Sequence, residues 1–164
     1  MELYPWLVMI HLIGAFGFVA GHGVSMHTAI RLRSERDPAR VAALLDLSGA
    51  SLALVYVGLL LLLGGGIAAG FVGGHWGRLW IWTSLILLVG VAVFMYVVAT
   101  PYYASLRRAV GQRAQGDKDD APPPEPLPAS ELAALLVSSR PWVLAVVGGV
   151  VLVVIIGLMY LKPF

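Results

Sequence analysis

Cysteine is missing from all 164 residues. Its absence excludes disulfides, thiolate metal sites and cysteine nucleophiles, and it removes the usual clue to redox compartment. Charge is scarce as well: Asp, Glu, Lys and Arg make up 12% of the chain, against 59% hydrophobic residues. Mean hydropathy lies far above that of a soluble domain, so the composition is that of an integral membrane protein. The apolar runs carry no paired acids and no interrupted helices of the kind that mark transport pathways. No nucleophile, base and acid stand in an arrangement suited to hydrolysis.

What the chain does have is four long apolar windows, at about 5–30, 44–71, 79–100 and 141–161. Each passes the roughly 18 residues needed to cross ~30 Å of hydrocarbon at ~1.5 Å per residue. The expected fold is all-α, a four-transmembrane-helix up-down bundle, with residues 1–164 forming a single integral membrane domain in the lipid bilayer. The first window resembles a signal peptide in position only. Glu2 stands where a basic region would be, no Lys or Arg precedes the apolar run, and that run is too long, so the span is expected to be retained.

Basic residues are unevenly placed. Arg31, Arg33, Arg36 and Arg40 separate windows one and two; Arg107, Arg108, Arg113, Lys118 and Arg140 separate windows three and four. The opposite side carries Arg78 and Lys162. The positive-inside rule therefore puts both termini outside the cytoplasm, across a bacterial plasma (inner) membrane. Tyr4, Trp6, Trp76, Trp80, Trp82 and Tyr160 would form the outer aromatic belt, and Tyr102, Tyr103 and Trp142 the inner one. The net charge of +2 is thus topogenic and calls for no nucleic-acid partner.

Asp37 followed by Pro38 reads as an N-cap and first helical residue, so the second helix should start in the cytoplasm. Residues 116–130, GDKDDAPPPEPLPAS, form a proline-rich stretch expected to be an extended, mobile linker. Residues 131–139 resume helical spacing and should run along the membrane surface or lead into the fourth span.

Glycines crowd the first two windows: Gly14, Gly17, Gly21 and Gly23, then Gly49, Gly58, Gly64, Gly65 and Gly66. Small residues let helices approach closely in lipid, so tight packing of the first helix on the second is one reading. Space for a flat cofactor is the other.

The first window also holds three of the four histidines, and an intramembrane imidazole needs a partner. His11 and His22 are eleven residues apart, which puts them within roughly 20° on one helix face and about 16 Å apart along it. His11 should be level with Gly64, Gly65 and Gly66 of the antiparallel second helix, a place where a b-type haem could take an axial histidine. His22, with Met26 one turn on and Met95 at matching depth in the third helix, would suit Cu(I) instead. The plainer readings are that His22 and His27 bond a carbonyl or Asp46, and that His75 is an exposed loop residue.

The stretch HLIGAFGFVAG, residues 11–21, resembles the first helix of a group of bacterial four-helix membrane proteins. That group includes the membrane-type protoporphyrinogen oxidases, the copper-resistance protein D-like family and related predicted integral membrane proteins of unknown function. The likeness extends through GHGVSMHTAIRLRSERDPARVAALLDLS and GGHWGRLWIWTSL, and it is to one of the uncharacterised families in particular. In the oxidase relatives the histidine that opens this motif ligates haem b. The resemblance therefore implies that role for His11, with Ala20 and Gly21 following at the family spacing. Those relatives also use a lysine near the start of the third helix, where this chain has WIWTSL. Three functions remain in view: a haem-binding redox or sensory protein, a copper-handling protein, and a non-catalytic scaffold or subunit of a larger complex. A redox partner or a second copy of the chain would be its protein partner.

Overall fold

Asp37 leaves the helical region of backbone space and its carboxylate accepts the Ala39 N–H at 2.9 Å, while Pro38 takes the first helical position. The second helix thus begins at the residue where sequence logic places it. The computed structural model describes residues 3–118, 120 and 122–163. Met1 and Glu2, on which the retained-span reading leans, lie outside the described residues, as do Asp119 and Ala121 of the proline-rich stretch. Five helices follow in order: α1 Tyr4–Leu32, α2 Pro38–Val72, α3 Leu79–Ala109, α4 Ala129–Leu136 and α5 Arg140–Leu161, with a 3₁₀ turn at His75–Gly77. Four segments are long and apolar enough to span a membrane: α1, α2, α3, and α5 together with the short α4 before it.

The long helices are arranged as two antiparallel pairs. α1 packs on α2 along its length, α3 packs on α5, and the two pairs touch each other far less. The start of α1, the end of α5 and the 3₁₀ turn lie at one end of the bundle, called here the termini end; the α1–α2 and α3–α5 connections lie at the other, the loop end.

The α1–α2 seam is made of small residues. Contacts run through Leu7, His11, Gly14, Phe18, Gly21 and Ser25 of α1, a spacing alternating four and three, against Gly65, Leu62, Gly58, Val55 and Ser48 of α2. That repeat is the seam of a left-handed antiparallel pair. A Cβ at Gly14 would run into the α2 backbone at Leu62, and one at Gly58 into the α1 backbone at Phe18. Lipid supplies no hydrophobic force between helices, so this backbone approach and the bonds it permits are what hold them. Ser25 and Ser48 hydroxyls meet at 2.9 Å, and Tyr103 of α3 donates to the Ser25 carbonyl at 3.3 Å.

A conventional hydrophobic core forms only at the loop end. Leu32, Val41, Leu45, Tyr102, Leu106, Ala109, Leu132 and Leu136 are buried together there. α4 contributes Leu132 and Leu136, four apart on one face, and so caps the bundle. α3 reaches this core by continuing past Pro101 to Ala109. The missing proline N–H costs one helical bond at Val97, and burial of Tyr102 and Leu106 offsets it. The helix thus runs about two and a half turns beyond residue 100, where the apolar window ends.

Both ends of the 116–130 stretch are tied to α3. Asp117 pairs with Arg108 at 2.5 Å and accepts the Ala114 N–H, contacts that hold its carboxyl below the usual carboxylate range. The Leu127 N–H donates to the Ala109 carbonyl at 2.9 Å.

Candidate functional site

His11 sits in the third turn of α1, on the seam, where α2 presents Gly65 and Gly66. A Cβ at Gly65 would stand 2.7 Å from the His11 backbone nitrogen, and one at Gly66 only 2.6 Å from its Nδ1. The two glycines therefore let the imidazole lie directly on the α2 backbone. There Nδ1 meets the Leu62 carbonyl at 2.7 Å. A carbonyl can only accept, so Nδ1 carries the proton and donates; in the neutral ring Nε2 then holds the lone pair. Leu62 keeps its intrahelical role because a carbonyl oxygen has two lone pairs.

Among the described residues Nε2 has no hydrogen-bond partner. Nor is it sealed in: among the described residues, the side-chain nitrogens and oxygens both buried and unpartnered are Trp76 Nε1 and Tyr102 Oη. His11 thus offers an oriented, accessible imidazole nitrogen within an apolar helix, turned by a backbone carbonyl. This is the arrangement by which ligating histidines are usually set.

The glycines named from the sequence behave differently from one another. Gly65 and Gly66 come together with His11 as their depths implied, but the room they provide is taken by His11 itself. Gly64 faces away, with open space where a Cβ would be. His22 donates from Nδ1 to the Phe18 carbonyl one turn back, at 3.2 Å, and its ring lies 4.3 Å from that of Phe18. Met26 is exposed on the bundle surface. Met95 turns to α5, its methyl group against Gly148. The three are thus engaged with separate neighbours. Among the described residues no three of His, Asp and Glu converge as a metal-binding group.

Asp46, level with His22 and His27 and considered as their acid, bonds Arg107 at 3.1 Å and Gln112 at 3.1 Å instead. Arg107 also donates to the Leu45 carbonyl at 2.7 Å, so one guanidinium ties α3 to α2. A permanently charged fork matches a carboxylate better than an imidazole does. His75 is more than an exposed loop residue: it is half-buried, 3.2 Å from the Tyr4 hydroxyl and ring-to-ring with Trp80 at 5.8 Å. Sequence reasoning missed the Arg107–Asp46–Gln112 cluster. The only clue to it was an Asp and an Arg each placed at the loop-end boundary of a span.

No curated protein and no solved structure matches the chain. A family model does, over residues 5–163, and it covers all four candidate spans as far as residue 161. With that match and the four membrane-length helices in place, the chain belongs to the family described as predicted integral membrane protein (DUF2269).

Proposed function

We propose that this membrane bundle binds a b-type haem through Nε2 of His11, in a redox or sensory role. The observation that supports it is the Nδ1–H bond to Leu62, which fixes the ring and leaves a free lone pair facing away from Gly66. The donor set fits one axial position. It does not fit a slot lined by Gly64, Gly65 and Gly66, because the imidazole fills that space. His22, about 16 Å further along the same helix, cannot bind the opposite face of the same iron, so this chain supplies one ligand.

Haem at such a position supplies one-electron transfer or binding of a small gas. The residues of the chain would do the rest. Leu62 would hold the tautomer and the orientation of the ring, and the apolar side chains of α1 would exclude water. Resemblance to the haem-ligating oxidase relatives supports the same position, whereas the absent third-helix lysine argues against oxidase chemistry. The scaffold reading is favoured by the same seam, since His11 also acts as a clamp between α1 and α2.

We further place the protein in a bacterial plasma membrane with both termini outside, from the arginines gathered at the loop end. A Lys118→Cys variant should then resist a membrane-impermeant thiol reagent in intact cells and a Leu3→Cys variant should react; the reverse pattern would invert the orientation.

Protein purified in mild detergent from haem-replete cells tests the main proposal. A Soret band is expected, lost or strongly shifted in His11→Ala and kept in His22→Ala. Protein that stays colourless after haem addition would leave the scaffold.

A further inference from the structure

The termini end of the bundle holds a cavity of about 230 Å³ lined by His75, Arg78, Trp80 and Lys162. Its walls come from three parts of the chain: the 3₁₀ turn, the start of α3 and the residue after α5. They are built rather than incidental. Trp80 is buried, its indole faces His75 on one side, and Lys162 Nζ stands 5.8 Å from its ring centre. His75 is in turn held by Tyr4 of α1. The cavity therefore sits where the two helix pairs meet.

Its charge is one-sided. Three arginines at the loop end, Arg40, Arg107 and Arg108, have carboxylate partners, whereas among the described residues neither Arg78 nor Lys162 has one. Among the described residues every acidic side chain belongs to the loop end. Two cations facing one space repel unless an anion joins them, and a guanidinium beside an ammonium is a strong phosphate-binding pair. The level of the cavity identifies the source of that anion. Trp80 lines it, Tyr4 stands beside it on His75, and Trp76 and Trp82 belong to the same end; such an aromatic belt marks the headgroup layer, where lipid phosphates lie.

We propose that this cavity binds the headgroup phosphate of an anionic phospholipid, which bridges Arg78 before α3 and Lys162 after α5 and so fastens these two helices to each other at the termini end. The proposal is independent of haem on His11.

The test compares wild type, the double variant Arg78→Gln/Lys162→Gln, and Arg31→Gln/Lys118→Gln, which removes equal charge from the loop end. Each is reconstituted in nanodiscs of phosphatidylcholine alone or with phosphatidylglycerol, and unfolded thermally. Phosphatidylglycerol should raise the wild-type midpoint by about 2–4 °C or more, equally in the loop-end variant, and not in Arg78→Gln/Lys162→Gln. Native mass spectra should show a retained anionic lipid in the first two only. Inorganic phosphate added to protein in neutral detergent should give no comparable shift; an equal shift would overturn the lipid as ligand in favour of a soluble anion. The same response in all three proteins, or in none, would overturn the site.

Discussion

The α1–α2 seam and the loop-end core hold the same chain together by opposite means. In the seam the residues at the contact are Gly14, Gly21, Gly58, Gly65, Ser25 and Ser48, while the large side chains such as Phe16, Leu60 and Phe71 point outward. In the core the contact residues are Leu32, Leu45, Leu106, Leu132 and Leu136, all fully buried. Hydrocarbon is as apolar as leucine, so burying leucine there gains little; close backbone approach and hydrogen bonds decide. At the loop end water is present, and burial of aliphatic surface regains its force of about 25 cal/mol per Å². The pattern of exposure inverts along a single helix.

The comparison breaks first at the core. Leu106→Ala should cost about 2–5 kcal/mol, the range for emptying a fully buried leucine site, and its chemical unfolding in detergent should show α3 and α4 loosening together. A loss below about 1 kcal/mol would mean that the core is dispensable and the seam carries the fold.

Next comes the seam. Gly58→Ala places a methyl against the α1 backbone, which has no rotamer with which to yield, so a loss of about 1–3 kcal/mol is expected from overpacking. Gly64→Ala, six residues along, meets nothing and should be neutral or slightly stabilising through helix propensity, worth up to about 1 kcal/mol. Equal effects at the two glycines would show that the seam is not where α1 and α2 meet. The smallest effect is at the cap: Asp37→Ala should cost about 1 kcal/mol and appear as fraying of residues 38–41 in hydrogen exchange, with the spans unaffected.

Much of this was legible in the sequence, for reasons that differ from place to place. The four spans follow from length and apolarity, and the Asp37 cap is local chemistry. The level of His11 with Gly65 and Gly66 follows from counting along antiparallel helices of equal rise. Rotation about the helix axis was not legible. That is why Gly64 could not be separated from its two neighbours, and why Met95 was placed toward His22 when it faces Gly148. Asp46 was matched to histidines by depth alone, but the chain gave it Arg107, whose long side chain reaches across from α3. The apolar window at 79–100 gives the membrane span and not the end of α3, which the buried partners Leu45 and Leu136 carry on to Ala109.

His11 belongs to the seam and also reaches beyond it, and its two ring nitrogens separate the two roles. Asn places an amide N–H close to where Nδ1–H stands but offers nothing at Nε2. The direct test is therefore His11→Asn, with haem titration followed by absorption and unfolding measured on the same preparation. The account predicts stability within about 0.5 kcal/mol of wild type, since the bond to Leu62 persists and neutral hydrogen bonds contribute about that much or somewhat more, together with loss of the wild-type Soret band. Haem bound by His11→Asn as tightly and with the same spectrum as by wild type would contradict it.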